Sequence, residues 1–342
     1  MKFYKIIFTI LIVFFKTGNL LSENNLFNVN NIQLEKKDKI SIKNLANNAI
    51  KKGFTQLLSR ILLSEDKSKL MNLELKAIKE LVSFYQTSAT FDEKKNQELV
   101  NFSITFDKTK IHDLFYRKGI LYSEILDKEL FILPILVQDN EIFIYNNNFF
   151  YQNWNKFHTD SLIEFILPLE NIEIINQINR NKNNLINIEI ESIFKEYSDK
   201  NLALILIDGD KKITKNVYIK SIIQKKKISK NLTFKNKIKE NVIIETKQEL
   251  INLVKSENLI DIRTPSFLNV KFELNRKNNL VELNARLKKI DLIENVSVLE
   301  FNKDNMSLRI KYLGKLQKII DQLNKESIQL ELINDQWKIK TL

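Results

Sequence analysis

Met306-Ser307-Leu308-Arg309-Ile310-Lys311-Tyr312 alternates apolar and polar side chains without a break. Such period-two alternation buries one face of a β-strand and leaves the other in solvent. The residues on either side extend the pattern. Upstream, Val270, Phe272 and Leu274 alternate likewise, Leu280, Leu283, Leu287 and Ile290 mark one helix face, and Val296 and Val298 belong to a second strand. Downstream, Gly314 precedes a helix carrying Leu316, Ile319, Ile320 and Leu323. Ile328, Leu330 and Leu332 predict a fourth strand, and Asn334-Asp335 turns the chain into Trp337, Ile339 and Thr341. Residues 267–342 thus read as a ferredoxin-like βαββαβ unit followed by a terminal strand. Pro265 marks its boundary. The fold hosts many unrelated activities, so it names none.

Before that boundary, residues 128–262 predict an α/β unit with a mixed sheet. Leu130–Val137 and Leu202–Ile207 are continuous apolar runs, the pattern of strands buried on both faces. Gln138-Asp139-Asn140 turns the first into Glu141–Tyr145. Leu162–Leu167 reads as another buried strand, and Lys215–Ile223 and Lys227–Phe234 as two lysine-rich ones. Helices are expected over Ile188–Tyr197 and Lys247–Leu259, and Phe149, Phe150, Trp154 and Phe157 have helical spacing.

Residues 23–120 predict a smaller α+β unit. Phe27–Leu34 is its first strand. Ser41 is an N-cap candidate for a helix to Leu63, whose stripe of Leu45, Ala49, Ile50, Phe54, Leu57, Leu58 and Ile61 is interrupted by Gly53. A second helix is expected over Lys69–Leu81, then a hairpin of Ser83–Phe91 with Leu99–Phe106. Asp107 caps a short helix that Gly119 ends. The fold class is therefore α+β, built from small α/β modules with mixed or antiparallel sheets.

The first twenty-two residues, MKFYKIIFTILIVFFKTGNLLS, have a different character. Lys2 and Lys5 precede an apolar run from Ile6 to Phe15, and Lys16 ends it. The run is too short for the roughly 20 apolar residues that span a bilayer. Residues 1–22 read as a signal peptide, which predicts a periplasmic protein of the cell envelope. Ser22 is a suitable small residue before a cleavage point, whereas Leu20 is not. Cleavage and retention as an inner-membrane tether both stay open.

Composition excludes several chemistries. The chain has no cysteine, which removes disulfides, thiolate nucleophiles, cysteine metal sites and lipoprotein attachment. Five glycines leave little material for phosphate-cradling loops. The net charge of +12 comes from lysines spread along the chain among glutamates, and export argues against a nucleic-acid partner.

Two histidines, His112 and His158, are too few for a typical catalytic zinc site, and neither accompanies a Gly-x-Ser-x-Gly motif. No catalytic, cofactor-binding or metal residue is assigned, and no cofactor is expected. Glu170, Asp208 and Asp210 follow strand ends in the middle unit, where open α/β sheets hold ligands. The simpler and favoured reading of Asp208-Gly209-Asp210 is a turn, where Asp and Gly fit the backbone geometry. The basic run Lys225-Lys226-Lys227, with Lys230, Lys235, Lys237 and Lys239, suits either a lysine-protected sheet edge or contact with anionic membrane.

Three segments carry a family likeness: Leu45-Ala46-Asn47-Asn48-Ala49-Ile50, Phe54-Thr55-Gln56-Leu57-Leu58-Ser59-Arg60-Ile61, and Val100-Asn101-Phe102-Ser103-Ile104-Thr105-Phe106-Asp107. With the strand near Leu133 and the Leu167-Pro168-Leu169-Glu170 turn, residues 25–260 resemble an uncharacterised proteobacterial family of exported proteins. That family is known as domain of unknown function number two-thousand-and-sixty-six. Glu170 and Asn171 depart from its aspartate-rich continuation. The resemblance implies export and brings no catalytic residues.

The expectation is a non-enzymatic binding or assembly factor with an envelope protein partner. The alternatives are a carboxylate-based enzyme or small-molecule binder at Glu170, Asp208 and Asp210, and a peripheral binder of anionic membrane.

Overall fold

The structure, a computed structural model, describes residues 26–36, 41–92, 97–125, 127–157, 159, 162–209, 214–274 and 280–342. Residues 1–22, where a signal peptide is expected, His158 and Asp210 lie outside these residues.

In chain order, β1 (Asn28–Glu35) is followed by helices α1 (Ile42–Ile61), α2 (Ser64–Ser68) and α3 (Leu75–Glu80). Then come β2 (Val82–Asp92), β3 (Gln97–Phe106), α4 (Lys108–Lys118) and β4 (Tyr122–Ser123). The middle of the chain forms β5 (Glu129–Gln138), β6 (Glu141–Phe143), α5 (Phe149–Asn153), β7 (Glu164–Ile166), α6 (Ile172–Arg180) and α7 (Ile190–Ile193). It continues with β8 (Asn201–Gly209), β9 (Thr214–Ile223), β10 (Lys226–Lys237), α8 (Lys239–Glu257) and β11 (Leu259–Ile260). The last elements are β12 (Ser266–Glu273), α9 (Leu280–Leu287), β13 (Ile293–Phe301), β14 (Asn305–Tyr312), α10 (Leu316–Lys325), β15 (Ile328–Ile333) and β16 (Gln336–Thr341). The class is α+β.

The chain divides into two compact units. One takes the described residues up to 57 and those within 74–114 and 265–342, and the other takes those within 58–73 and 115–264. Residues of the N-terminal and C-terminal sequence segments thus share a unit.

That first unit holds two sheets. The smaller is antiparallel in the order β1-β3-β2. Val100, Phe102, Ile104 and Phe106 of β3 are buried with Val29 and Ile32 of β1 and Phe54 of α1. Gly53 explains the break in the helical stripe. A Cβ there would meet Ile32 Cδ1 at 2.9 Å and Ile104 Cδ1 at 3.0 Å, so glycine lets the helix backbone approach the sheet. Ser41 Oγ accepts from Asn44 N at 3.3 Å and Asp107 Oδ1 from Lys110 N at 3.1 Å, as capping predicts.

The second sheet has the order β13-β14-β12-β16-β15. A plain ferredoxin-like unit would set its fourth strand beside the first. Here β16 occupies that place, parallel to β12, and β15 moves to the edge. The hairpin itself is local: Asn334 and Asp335 both have positive φ, 49° and 59°, in the two-residue turn that folds β16 back on β15.

The other unit centres on a mixed sheet in the order β10-β9-β8-β5-β6, with β7 also on β5. Parallel β5 and β8 are apolar on both faces because both faces are covered. Ile132, Ala203, Ile205 and Ile207 join Trp154, Leu250 and Val254 in one core. Leu133, Ile135, Leu204 and Leu206 join Ile178, Ile190 and Phe194 in the other.

Some boundaries differ from expectation. The predicted helix over 69–81 is realised only as α3, because a turn occupies residues 69–72. The helix predicted from Lys247 begins at Lys239, eight residues earlier, on a stretch whose Val242 and Ile243 are also buried. The helix predicted over 188–197 shrinks to α7 and a 3-10 turn over Lys195–Tyr197.

Candidate functional site

The two described carboxylates singled out by sequence lie in different settings. Asp208 is exposed near the end of β8, paired in register with Val137 and Asn216. Glu170 is exposed after β7, and its Oε2 accepts from Asn146 Nδ2 at 3.2 Å. Glu170 lines a cleft of about 810 Å³ formed by residues 168–181 and 192–197, and Asp208 does not line it. Glu170 shares this cleft with Glu173 and Glu196, with the cations Arg180 and Lys195, and with the amides Asn171, Asn176, Gln177 and Asn181. Burial pushes the nearby Tyr145 hydroxyl up to about 12 and raises that of Tyr151, which donates to Pro168 O at 2.7 Å. Among the described residues no three His, Asp or Glu side chains gather as a metal site.

His112 is buried at 8% exposure on α4. Its Nδ1 lies 3.3 Å from Glu294 Oε1, and its ring meets Phe27 edge-on at 5.6 Å. The bond from His112 holds the Glu294 carboxyl below the usual range, against the opposing effect of burial. This histidine ties α4 to β13 within one unit.

The lysine-rich run forms the outer strand of the mixed sheet. Lys226 pairs with Glu257 at 2.5 Å and Lys227 with Glu191 at 2.6 Å, while Lys230 and Lys237 pair with Glu249 and Glu245. Lysines at 226, 227, 230, 235 and 237 space charge along this edge, the usual way a sheet discourages further strands.

Strand β2 is the opposite case. It is the outer strand of its sheet, hydrogen-bonded to β3 on one side. Val82 to Phe91 contains no charged residue and no proline, and Ser83 to Phe91 is exposed throughout. Phe84, Tyr85 and Phe91 are 52%, 47% and 59% exposed. A long, uncharged, open edge is a template for another strand.

A groove of about 530 Å³ runs beside the start of this edge. Ala46, Asn47 and Ile50 of α1 line it together with Phe84 and Tyr85. Ala46 and Ile50 are each 4% exposed and supply an apolar floor. Lys43 and Lys79 also line the groove, and among the described residues no carboxylate does. Tyr85 pairs with Ile104 in register, so its ring stands on the α1 side of the sheet, 6.5 Å from Phe102.

Sequence reading placed this strand but not its exposure. The available signal was the uncharged run Val82–Phe91, which lacks the charges carried by Lys226, Lys227 and Lys230 on β10.

No helix among the described residues is long and apolar enough to cross a membrane. No family model, curated protein or solved structure matches the chain.

Proposed function

We propose that this chain is an exported cell-envelope protein that acts by contact. It captures an extended, acidic segment of a protein partner as an added strand on β2. The observation that carries this reading is the uncharged Val82–Phe91 edge of β2 beside a groove lined, among the described residues, by two lysines and no carboxylate. Strand addition takes its affinity from main-chain hydrogen bonds and its specificity from pockets for alternate side chains. Ala46 and Ile50 suit an apolar side chain, and Lys43 and Lys79 favour acidic neighbours. Export rests on the leader pattern of residues 1–22 and on the resemblance to an exported family.

The binding test is a random-peptide phage display on residues 23–342. The expected winners alternate apolar residues with Asp or Glu. They lose about tenfold or more in affinity when Ala89→Lys charges the edge or when Lys43→Glu with Lys79→Glu reverses the groove. An unenriched selection, or peptides that bind all variants equally, overturns the proposal. Export is tested separately by fusing residues 1–30 to a leaderless alkaline phosphatase, which becomes active only outside the cytoplasm.

A further inference from the structure

A second cavity, of about 390 Å³, lies within the unit containing residues 58–73 and 115–264. Its polar lining is Ser59, Ser64, Lys67, Thr159, Gln248 and Lys255, and among the described residues no carboxylate lines it. Lys255 is 1% exposed. Its Nζ donates to Ser59 O at 2.6 Å and to Leu62 O at 2.7 Å. Lys67 Nζ donates to Ser59 Oγ at 2.6 Å. Two ammonium groups therefore converge on one serine.

Neither lysine has a carboxylate partner among the described residues. Asp66, adjacent to Lys67 in sequence, pairs with Lys69 at 2.5 Å instead. Burial, and next the charge of Lys67, lower Lys255 to about 8. The carbonyls of Ser59 and Leu62 offset part of the desolvation, but they do not neutralise the charge. The Thr159 hydroxyl and the Gln248 amide, one of whose hydrogens goes to Ser64 Oγ at 3.2 Å while Ser64 Oγ donates to Asn252 Oδ1 at 3.2 Å, add neutral donors around it. An oxyanion would supply the missing negative charge and accept from several of these groups together.

We infer that this cavity binds a small molecule through a phosphate-like oxyanion held between Lys67 and Lys255. The site is independent of strand capture at β2. The volume exceeds that of a bare phosphate, so a phosphomonoester fits better than the free ion.

The experiment titrates residues 23–342 with inorganic phosphate, glycerol 3-phosphate and vesicles containing phosphatidic acid, following amide shifts by NMR with chloride as control. The expected result is saturable shifts at Ser59, Ser64, Lys67 and Thr159, with glycerol 3-phosphate binding more tightly than phosphate. Lys67→Gln keeps a hydrogen-bond donor and removes the charge. It should weaken binding about tenfold or more with an unchanged fold. Lys255→Met tests the buried partner, and Lys67→Gln decides the matter if that variant fails to fold. Response to the vesicles alone would identify a lipid headgroup as the source of the oxyanion. No response to any probe, or equal binding by Lys67→Gln, overturns the inference.

Discussion

Asn148 Nδ2 donates a 2.9 Å hydrogen bond to the carbonyl oxygen of Pro134. Proline lacks the N–H that an interior strand would use, and it normally argues against such a position. Here β7 pairs with residues 129–131 of β5 and β6 with residues 136–138, both on the side away from β8. Pro134 falls in the gap between them. Asn148 fills that gap, donating also to Phe143 O at 3.1 Å while accepting from Phe150 N at 2.9 Å to cap α5. One amide thus joins a strand, a hairpin and a helix start.

Asn148→Ala removes three bonds and leaves buried backbone groups without partners. The expected loss is about 2–4 kcal/mol, measured by urea denaturation. Asn148→Asp keeps the cap but loses both donated bonds, so it should recover only part of the stability.

Gly53 and its two isoleucine neighbours should behave as a coupled set. Gly53→Ala gains roughly 1 kcal/mol of helix propensity, but overpacking against Ile32 and Ile104 costs about 1–3 kcal/mol. Ile32→Val with Ile104→Val deletes the two Cδ1 atoms that a new Cβ would meet. The alanine should therefore be less harmful, or favourable, in that background. A thermal-denaturation mutant cycle measures the non-additivity.

The pair His112–Glu294 predicts a component of acid sensitivity. Glu294 has a lowered pKa in the folded state. Its contribution is therefore complete above the unfolded value of about 4.3 and is lost as pH falls through the lower folded value. Glu294→Gln should reduce stability at pH 7 and flatten this part of the acid limb. Chemical denaturation at a series of pH values reads both effects.

The β9–β10 turn holds Gln224 and Lys225 at φ of 49° and 65°. This left-handed geometry costs roughly 1 kcal/mol for a residue with a Cβ. Gln224 N donates to Asn201 Oδ1 at 3.0 Å, and its side chain donates to Asn258, so this residue is anchored. Lys225→Gly should consequently raise stability by about 1 kcal/mol, whereas Gln224→Gly should not, because it removes the Asn258 bond. Melting temperatures of the two variants distinguish them.

The legibility of the fold followed the periodicity of its elements. Met306, Leu308, Ile310 and Tyr312 are all buried on β14, and the apolar runs of β5 and β8 are covered on both faces. Lys69 to Leu73 misled because its charged and apolar residues fit a helix pattern, while local turn hydrogen bonds such as Leu70 N to Lys67 O hold it otherwise. The candidate sites were harder to read. Glu170, Asp208 and Asp210 stood out as residue types at strand ends, but a lining is set by distances in space. Lys67 and Lys255 look like ordinary solvated lysines, and the 187 residues between them in sequence hide their shared serine.

Local chemistry alone therefore determined the α+β class, the alternating strand of residues 306–312, the caps at Ser41 and Asp107, and the turn at Asn334-Asp335. Each depends on neighbouring residues that the chain itself brings together. Only the tertiary structure decided that β16 inserts between β12 and β15, that His112 meets Glu294, and that β2 keeps an open edge. These are choices among pairings of similar local energy, settled by which distant faces can be buried together and which polar groups can then be satisfied.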